Sequence, residues 1–173
     1  MNRKGPRVAA NLVVGAGGST TLNGSSSGLS TPPDRLRFHK LRTEFGAILI
    51  GGNTARNEPY AKTPAPLIVL THRPLSGPAS LNPTALAWAM PLKSAISQAT
   101  AMYGDLIIEA GPALIREAIT SGLLTDLYLT LSPIDGGENP ISLDELLQEC
   151  EEISREEVDR TLFLHYRLAP NGD

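Results

Sequence analysis

The sequence has little of what several classes of protein require. It contains one cysteine, Cys150, which excludes an internal disulfide and is too few thiolates for a zinc site. Charged residues make up 19% of the chain, below the roughly 25% of an average soluble domain. The net charge of −3 gives no general attraction to nucleic acid or to an acidic membrane surface. No segment approaches the ~20 apolar residues of a membrane span, so we expect neither nucleic acid nor membrane as a partner.

A targeting signal is also missing from the sequence. The basic start at residues 2–7 is not followed by an apolar run long enough for a signal peptide. We therefore expect a soluble, cytoplasmic protein. A length of 173 residues suits one domain with its own core, and we expect residues 1–173 to form a single domain.

Glycine and proline are plentiful, with sixteen and fourteen residues, and they are densest in residues 15–33. This stretch holds five glycines, five serines, three threonines and no charge. Only fourteen residues precede it, too few for a domain, so it is predicted to be a long loop rather than a linker. Its uncharged hydroxyl donors suit wrapping around a polar ligand such as a cofactor; disorder is the alternative interpretation.

The order of apolar segments predicts an α/β fold with a mostly parallel sheet, helices on both faces and an antiparallel carboxyl-terminal hairpin. The predicted strands are 7–14, 46–50, 66–71, 84–89, 105–109, 126–131, 152–158 and 161–168. Helices are predicted after Thr31, over residues 92–103 and from Pro112 to Gly122. Thr31 before Pro32-Pro33, with Asp34 three residues later, is typical of a helix start.

The glycines that follow the first strand do not form a dinucleotide fingerprint. Gly15-Ala16-Gly17-Gly18 has no helical pattern after it and no third glycine in place, so a Rossmann domain is not expected. A P-loop is excluded because no lysine follows these glycines at the required spacing. His39 and His165 occupy ordinary amphipathic positions, and no histidine pair has metal-ligand spacing. No Gly-x-Ser-x-Gly motif supports nucleophilic hydrolysis.

Two other strand-to-helix turns are better candidates for phosphate binding. Glycines in residues 50–54 and 109–114 let backbone amides approach an anion at a helix start. Each turn alone is better explained as a structural feature, but two turns at one sheet edge make a dinucleotide ligand an equal alternative. Thr71 and Arg73, after another strand, are suited to the 2′-phosphate that separates NADP from NAD; an ordinary exposed loop arginine is the alternative.

The order of these motifs resembles the reductase domain of the riboflavin-biosynthesis deaminase-reductases, which has the dihydrofolate-reductase fold. The resemblance covers about residues 7–137. The motifs that carry it are Gly28-Leu29-Ser30-Thr31, Leu41-Arg42-Thr43, Gly51-Gly52-Asn53-Thr54, Asn57-Glu58-Pro59, Thr71-His72-Arg73, Glu109-Ala110-Gly111-Pro112, Gly122–Leu127, Ser132-Pro133 and Gly136-Gly137.

The resemblance implies an NADPH-dependent reductase that transfers hydride to the ribose C1′ of a phosphoribosylamino-pyrimidine, resembling 5-amino-6-(5-phosphoribosylamino)uracil reductase, and commonly a homodimer. It places Glu109 in the pocket as the candidate catalytic residue. The implied substrate residues are Ser26, Ser30, Arg42, Lys62 and Glu109. The implied cofactor residues include those of the two turns described above. They are Val13, Gly15, Gly52, Asn53, Thr54, Asn57, Thr71, Arg73, Gly111, Pro112, Ala113 and Leu114.

Departures from the family pattern keep other functions open. The family's loop aspartate falls on Gly17, its tryptophan falls on Gly28, and Asn57 is neutral where the family has aspartate. No proton donor stands out, which leaves water as the source, and the deaminase motifs are absent. One alternative is a non-catalytic, nucleotide-binding member of the fold. Another is a reductase of a different heterocycle such as dihydrofolate, although that enzyme needs a carboxylate near the first loop, where we expect no suitable acid.

Overall fold

Eight strands form one sheet in the computed structural model of the chain, which describes residues 5–168. Residues 2–4 of the basic start lie outside the described residues. The strands are β1 (Val8–Val14), β2 (Ala47–Gly51), β3 (Leu67–Leu70), β4 (Leu86–Trp88), β5 (Leu106–Ile108), β6 (Asp126–Leu131), β7 (Cys150–Val158) and β8 (Thr161–Leu168). The helices are α1 (Pro32–Arg42), α2 (Gly52–Asn57), α3 (Leu92–Tyr103), α4 (Pro112–Thr120) and α5 (Leu143–Leu147).

The strand order across the sheet is β4-β3-β2-β5-β1-β6-β8-β7. The first six strands in this order are parallel to their neighbours, and β8 and β7 continue the sheet in antiparallel pairing. The predicted fold class is therefore confirmed, including the antiparallel hairpin at the carboxyl end. The chain starts in the middle of the sheet, runs to the β4 edge and returns through β5 beside β1. This reversal opens a crevice at the carboxyl ends of the central strands.

The central strands are buried on both faces because helices cover both sides of the sheet. One apolar cluster joins β1, β5 and β6 to α3 and α4, and the other joins β2 and β3 to α1 and α2. Ile48, Leu49 and Ile50 on β2 are fully buried, as a continuous apolar run in a parallel sheet predicts. The prediction missed α5, whose five residues are too few to show a helical period.

The first helix begins where the sequence predicts. The side chain of Thr31 accepts a hydrogen bond from the Asp34 amide, with proline in the first turn. The Thr31 hydroxyl also lies 2.8 Å from the Thr161 hydroxyl at the start of β8. The helix start is therefore fixed to the antiparallel part of the sheet, which holds the α1 side chains in place over the crevice.

Candidate active site

A cleft of about 1070 Å³ runs along the carboxyl ends of β1, β2, β3 and β5. It lies where the strand order reverses, the usual position of a ligand in an open α/β sheet. Its volume is at the upper end of the range for small-molecule sites, so it has space for a cofactor and a substrate together.

The cleft brings together almost all of the residues that the sequence and the resemblance single out. The lining includes Val13, Ser26, Ser30, Arg42, Gly52, Asn53, Thr54, Asn57, Lys62, Thr71, Arg73, Glu109, Gly111, Pro112, Ala113 and Leu114. Gly15 does not contribute to the lining; it is buried, and a Cβ there would lie 2.6 Å from Ser19 Oγ and 2.9 Å from the Ile134 carbonyl oxygen. That these residues line the same cleft does not show which ligand each of them contacts, so their roles stay predictions.

Both predicted phosphate turns open onto the cleft with free backbone. Gly111 is the N-cap of α4 and has no side chain to cap the helix, so the first amides of α4 are left for a ligand. At the other turn, a Cβ on Gly52 would lie 3.1 Å from Thr71 Oγ1 and 3.2 Å from Arg56 Nη1. Glycine at position 52 thus allows β2 and β3 to hold their terminal residues close together.

Arg56 joins Thr71 and Arg73 at this end of the cleft, and sequence reasoning missed it. Its Nη2 donates to Asn53 Oδ1 at 2.5 Å, which orients the guanidinium. Thr71 Oγ1 accepts from the Arg73 amide at 3.1 Å and fixes the loop. Within residues 5–168, neither arginine has a carboxylate within 4 Å, so two unpaired cations line one end of the cleft.

In the same cleft, Arg42 and Glu109, the residue two positions before Gly111, form a buried ion pair. Arg42 Nε lies 2.9 and 3.0 Å from the two carboxylate oxygens of Glu109, and Nη2 lies 2.7 Å from Oε2. The Tyr60 hydroxyl donates to the same Oε2 at 2.7 Å. Phe38 and Tyr60 place their rings 4.1 and 4.9 Å from the guanidinium carbon. Glu109 therefore holds Arg42, and Nη1 of Arg42 donates to no other group among the described residues.

Burial and the charge of Glu109 shift the pKa of Arg42 in opposite directions and the pKa of Tyr60 in the same direction. Burial alone would lower the pKa of the Arg42 guanidinium, but the hydrogen bonds and charge of Glu109 raise that pKa above its usual value. Burial, followed by the charge of Glu109, raises the pKa of Tyr60 well above its usual value. Tyr60 therefore remains a neutral hydrogen-bond donor over the physiological range. Sequence reasoning did not select Tyr60 as a site residue, because its irregular segment shows neither a helical nor a strand period.

A second carboxylate, Asp34, lies in the cleft next to the first loop. It is only 6% exposed, and Ser30 Oγ donates a hydrogen bond to its Oδ2. The expectation that no acid is suitably placed near this loop is therefore wrong. From local sequence, Asp34 was interpreted only as an acid that stabilises the start of a helix through the helix dipole. The structure shows that the same residue also lines the cleft. Its spacing from Phe38 and Arg42, four and eight residues on, was the available signal.

The long first loop is held by two carboxylates of the chain itself. Glu138 accepts from the Thr21 hydroxyl at 2.9 Å and from the amides of Asn23 and Gly24 at 3.0 and 3.3 Å. Glu58 accepts from the Ser25 hydroxyl at 2.8 Å and from the Ser26 amide at 2.7 Å. The sequence analysis interpreted the hydrogen-bond donors of this loop as ligand-binding groups. Some of them instead hold the loop to the end of α2 and to the segment after β6.

Two departures from the family pattern have a local structural context. A Cβ on Gly28 would lie 2.8 Å from Leu22 Cβ, so this loop conformation leaves no room for a tryptophan at position 28. A Cβ on Gly17 would lie 3.3 Å from Asp135 Oδ1, so an aspartate there would meet another carboxylate. Both glycines therefore fit the loop as it is folded in this chain.

The charged lining is larger than the sequence indicates. Arg42, Lys62, Arg73 and Glu109 were the expected charged residues, and the structure adds Asp34, Arg35, Arg56 and Glu58. Within residues 5–168, no group of His, Cys, Asp or Glu side chains could hold a metal ion. None of the helices in the same range has the length and apolar character needed to cross a bilayer.

Comparison with protein families gives one match over most of the chain: the family described as the RibD C-terminal domain matches residues 6–162. A search of curated proteins gives no match. Among solved structures, a pyrimidine reductase-like protein from Corynebacterium diphtheriae has a TM-score of 0.76 at 20% identity, over 95% of this chain and 92% of that chain.

RibD from Acinetobacter baumannii has a TM-score of 0.73 at 16% identity, over 95% of this chain and 58% of its own. This chain thus spans a little over half the length of that protein. Dihydrofolate reductase from Enterococcus faecalis, complexed with NADP(H) and RAB-propyl, has a TM-score of 0.68 at 18% identity, over 94% of this chain and 96% of its own. At these identities the likeness establishes the fold.

Proposed function

Because this chain belongs to the RibD C-terminal domain family, the reductase domain of the riboflavin-biosynthesis deaminase-reductases, we propose that it is an NADPH-dependent reductase of a phosphoribosylamino-pyrimidine. The observation that carries the proposal is the cleft, which is lined by two uncapped glycine turns and by the buried Arg42–Glu109 pair. Such a cleft suits a phosphate-bearing dinucleotide and a polar ring side by side.

The residues present fit NADPH. The uncapped start of α4 and the close backbone at Gly52 suit the pyrophosphate. Arg56 and Arg73, two cations without a carboxylate partner among the described residues, suit the 2′-phosphate together with Thr71. When bound, NADPH supplies the hydride that reduces the ribose C1′, and the chain's own task is to hold and orient the two ligands.

The substrate end of the cleft has its own charges. Lys62 is exposed at the cleft and makes no hydrogen bond or ion pair among the described residues, so it is free to contact a substrate phosphate. Arg42 has Nη1 left for the same ligand, whereas Nε and Nη2 are committed to Glu109. Glu109 acts by holding Arg42, because its carboxylate already accepts from Arg42 and Tyr60. Water remains the proton source in this proposal.

A second candidate is reduction of a pteridine such as dihydrofolate. Asp34 favours it, because a buried carboxylate beside the first loop is what that activity needs. The solved dihydrofolate reductase named above shares the fold. The two candidates use the same cofactor and differ in the electrophilic carbon that receives the hydride.

The experiment is a thermal-shift titration with NADPH and NADH, followed by an assay of NADPH absorbance with each substrate. We expect NADPH to raise the melting temperature more than NADH, since binding to the native state raises apparent stability. Arg56→Gln and Arg73→Gln should each reduce the preference for NADPH about tenfold, as the loss of one charged hydrogen bond predicts. Arg116→Gln, on the exposed side of α4, is the control. No shift with NADPH would contradict the proposal, and a shift without turnover of any pyrimidine or pterin favours the non-catalytic alternative.

We extend the proposal to a homodimer, which the family resemblance implies. β7 is the outer strand of the sheet, and its Ile153 and Val158 are 39% and 37% exposed. An outer strand with apolar side chains in solvent is suited to pairing with a second chain. Sedimentation equilibrium tests this directly, and a monomer at every concentration would contradict it.

A further inference from the structure

Asn11 lies in the middle of β1, in a strand whose other six residues are apolar. The strand reads Val-Ala-Ala-Asn-Leu-Val-Val. Asparagine is depleted in strands, and a parallel strand that is covered on both faces is normally a continuous apolar run. Positions at which a sequence departs from such a local rule are commonly functional. The presence of Asn11 therefore needs an explanation other than the stability of the strand.

The side chain of Asn11 lies on the face of the sheet that the cleft shares with α1. Alternate residues of a strand point to the same face, so Asn11 points to the side of Ala9 and Val13. Ala9 packs in the apolar cluster that includes α1, and Val13 lines the cleft. Asn11 lines the cleft as well and is half-buried. Its carboxamide is therefore part of the floor of the cleft.

The neighbouring strands do not supply a hydrogen-bond partner for this carboxamide. Asn11 pairs in register with Tyr128 of β6. On its other side Ala10 pairs with Ile108, so the chain of β5 continues to Glu109 beside Asn11. The carboxylate of Glu109 accepts hydrogen bonds from Arg42 and Tyr60 instead.

Among residues 5–168, the side chain of Asn11 makes no hydrogen bond, unlike those of two other asparagines in the cleft. Asn53 accepts from Arg56 at 2.5 Å, and Asn139 donates to Thr21 Oγ1 at 2.9 Å. A carboxamide offers an N–H₂ donor and a carbonyl acceptor. Both groups of Asn11 are therefore available to a ligand that enters the cleft.

We propose that Asn11 is a substrate-binding residue that recognises a cyclic amide, the adjacent C=O and N–H groups of the substrate ring. The inference rests on the proposed function and adds a residue that selects the ring. The carboxamide can accept from the ring N–H and donate to the neighbouring carbonyl oxygen, which gives two parallel hydrogen bonds. Asn11 lies about 7 Å further into the sheet than Val13, which the family resemblance assigns to the nicotinamide side. The ligand over Asn11 is therefore the substrate and not the cofactor.

Other side chains at this position would not match the same group. A carboxylate presents two acceptors, so one of its oxygens would face the ring carbonyl oxygen, and leucine presents neither donor nor acceptor. Sites built to satisfy a hydrogen bond lose much affinity when one partner lacks its group. We expect Asn11→Asp and Asn11→Leu each to bind the ring about 10- to 100-fold more weakly, the range that one unsatisfied buried group gives.

The test measures binding of 5,6-diaminouracil, a free heterocycle with this amide, by calorimetry on the full chain saturated with NADPH. Wild type, Asn11→Asp and Asn11→Leu are compared. Asn11→Asp keeps the shape of the side chain, so it tests the loss of the donor without a change in volume. We expect weaker binding of the heterocycle in both variants, whereas the dissociation constant of NADPH, measured on the same proteins, should stay unchanged.

Thermal unfolding without ligands separates a binding role from a structural one. Asn11→Leu removes an amide without a partner in the described chain and supplies an apolar residue to a central strand, so it should melt no lower than wild type. Asn82→Leu is the matched control. Asn82 is buried, donates to the Tyr60 carbonyl oxygen at 3.0 Å and accepts from the Thr84 amide at 2.9 Å, so its loss should lower the melting temperature.

The outcomes separate this inference from the proposed function. Absence of an NADPH-induced thermal shift in wild type overturns the proposed function. If NADPH binds, the inference is overturned when wild type does not bind 5,6-diaminouracil or when either folded variant binds it as tightly as wild type. Weaker NADPH binding in the variants would assign Asn11 to the cofactor, and a melting temperature of Asn11→Leu as low as that of Asn82→Leu would assign it to the fold; both overturn the inference. If Asn11→Leu does not fold, Asn11→Asp alone decides.

Discussion

Arg42 at the end of α1 and Glu109 after β5 lie 67 positions apart in the chain and meet in a buried, two-nitrogen contact. The shortest distance, 2.7 Å, joins Arg42 Nη2 to Glu109 Oε2. The side chains are 7% and 3% exposed, so water screens the pair very little. The contact ties α1, which covers one face of the sheet, to a central strand.

Removing one member of this pair should destabilise the protein strongly. Glu109→Gln leaves the Arg42 guanidinium buried without a counter-charge, and we expect a loss of about 3–5 kcal/mol in the free energy of unfolding, measured by urea denaturation. Replacing both residues, as Arg42→Met with Glu109→Leu, should recover much of that loss while abolishing turnover. A double variant no more stable than the single one would show that the pair is not the cause.

Tyr60→Phe tests the third member of the cluster. The substitution removes one hydrogen bond to a charged acceptor, and we expect a loss of about 1.5–3 kcal/mol. The pKa of Tyr60 is raised in the folded state, so its contribution is complete below the usual tyrosine pKa and is lost as the pH rises through the raised value. The difference in unfolding free energy between wild type and Tyr60→Phe should therefore shrink at strongly alkaline pH. A difference independent of pH would contradict this.

Glu58→Gln should loosen the first loop over the cleft. In the wild type, the Ser25 hydroxyl and the Ser26 amide donate hydrogen bonds to the charged carboxylate of Glu58. The variant keeps one acceptor oxygen but has no charge, so these hydrogen bonds become weaker. We expect faster hydrogen exchange at Ser26 and a raised KM with a smaller change in kcat. Glu117→Gln, an exposed acid on α4, serves as the matched control. An unchanged rate of amide hydrogen exchange at Ser26 would contradict the prediction that Glu58 holds the loop in place.

Glu138 makes the other end of the loop sensitive to acid. Its hydrogen bonds, first from Thr21 and then from the Gly24 amide, lower the pKa of this carboxyl. The bonds are therefore present above the usual carboxyl pKa and are lost as the pH falls through the lowered value. Amide exchange at Asn23 and Gly24, corrected for its intrinsic pH dependence, should accelerate over that window. Glu138→Gln should show weak protection at every pH, and an identical acid transition in the variant would assign the effect to another group.

Local sequence was sufficient for features that depend on neighbours in the chain. The N-cap of α1 and the glycine turns after β2 and β5 follow from residue type and spacing alone. The hydrogen bonds that Glu58 and Glu138 accept from the first loop could not be predicted this way, because they join residues 32 to 117 positions apart. Asp34 has a clear local role as an acid in the first turn of a helix, and that role concealed its position in the cleft.

The position of β5 between β1 and β2 affects how the chain folds while it is being synthesised on the ribosome. A nascent chain that ends before Leu106 already contains both neighbours of β5, but it lacks the strand that joins them. Their apolar edges stay open until β5 has been synthesised. Such edges are templates for pairing between chains. We therefore expect translational arrest before Leu106 to yield aggregates, and release beyond β6 to yield the first fragments able to complete the centre of the sheet.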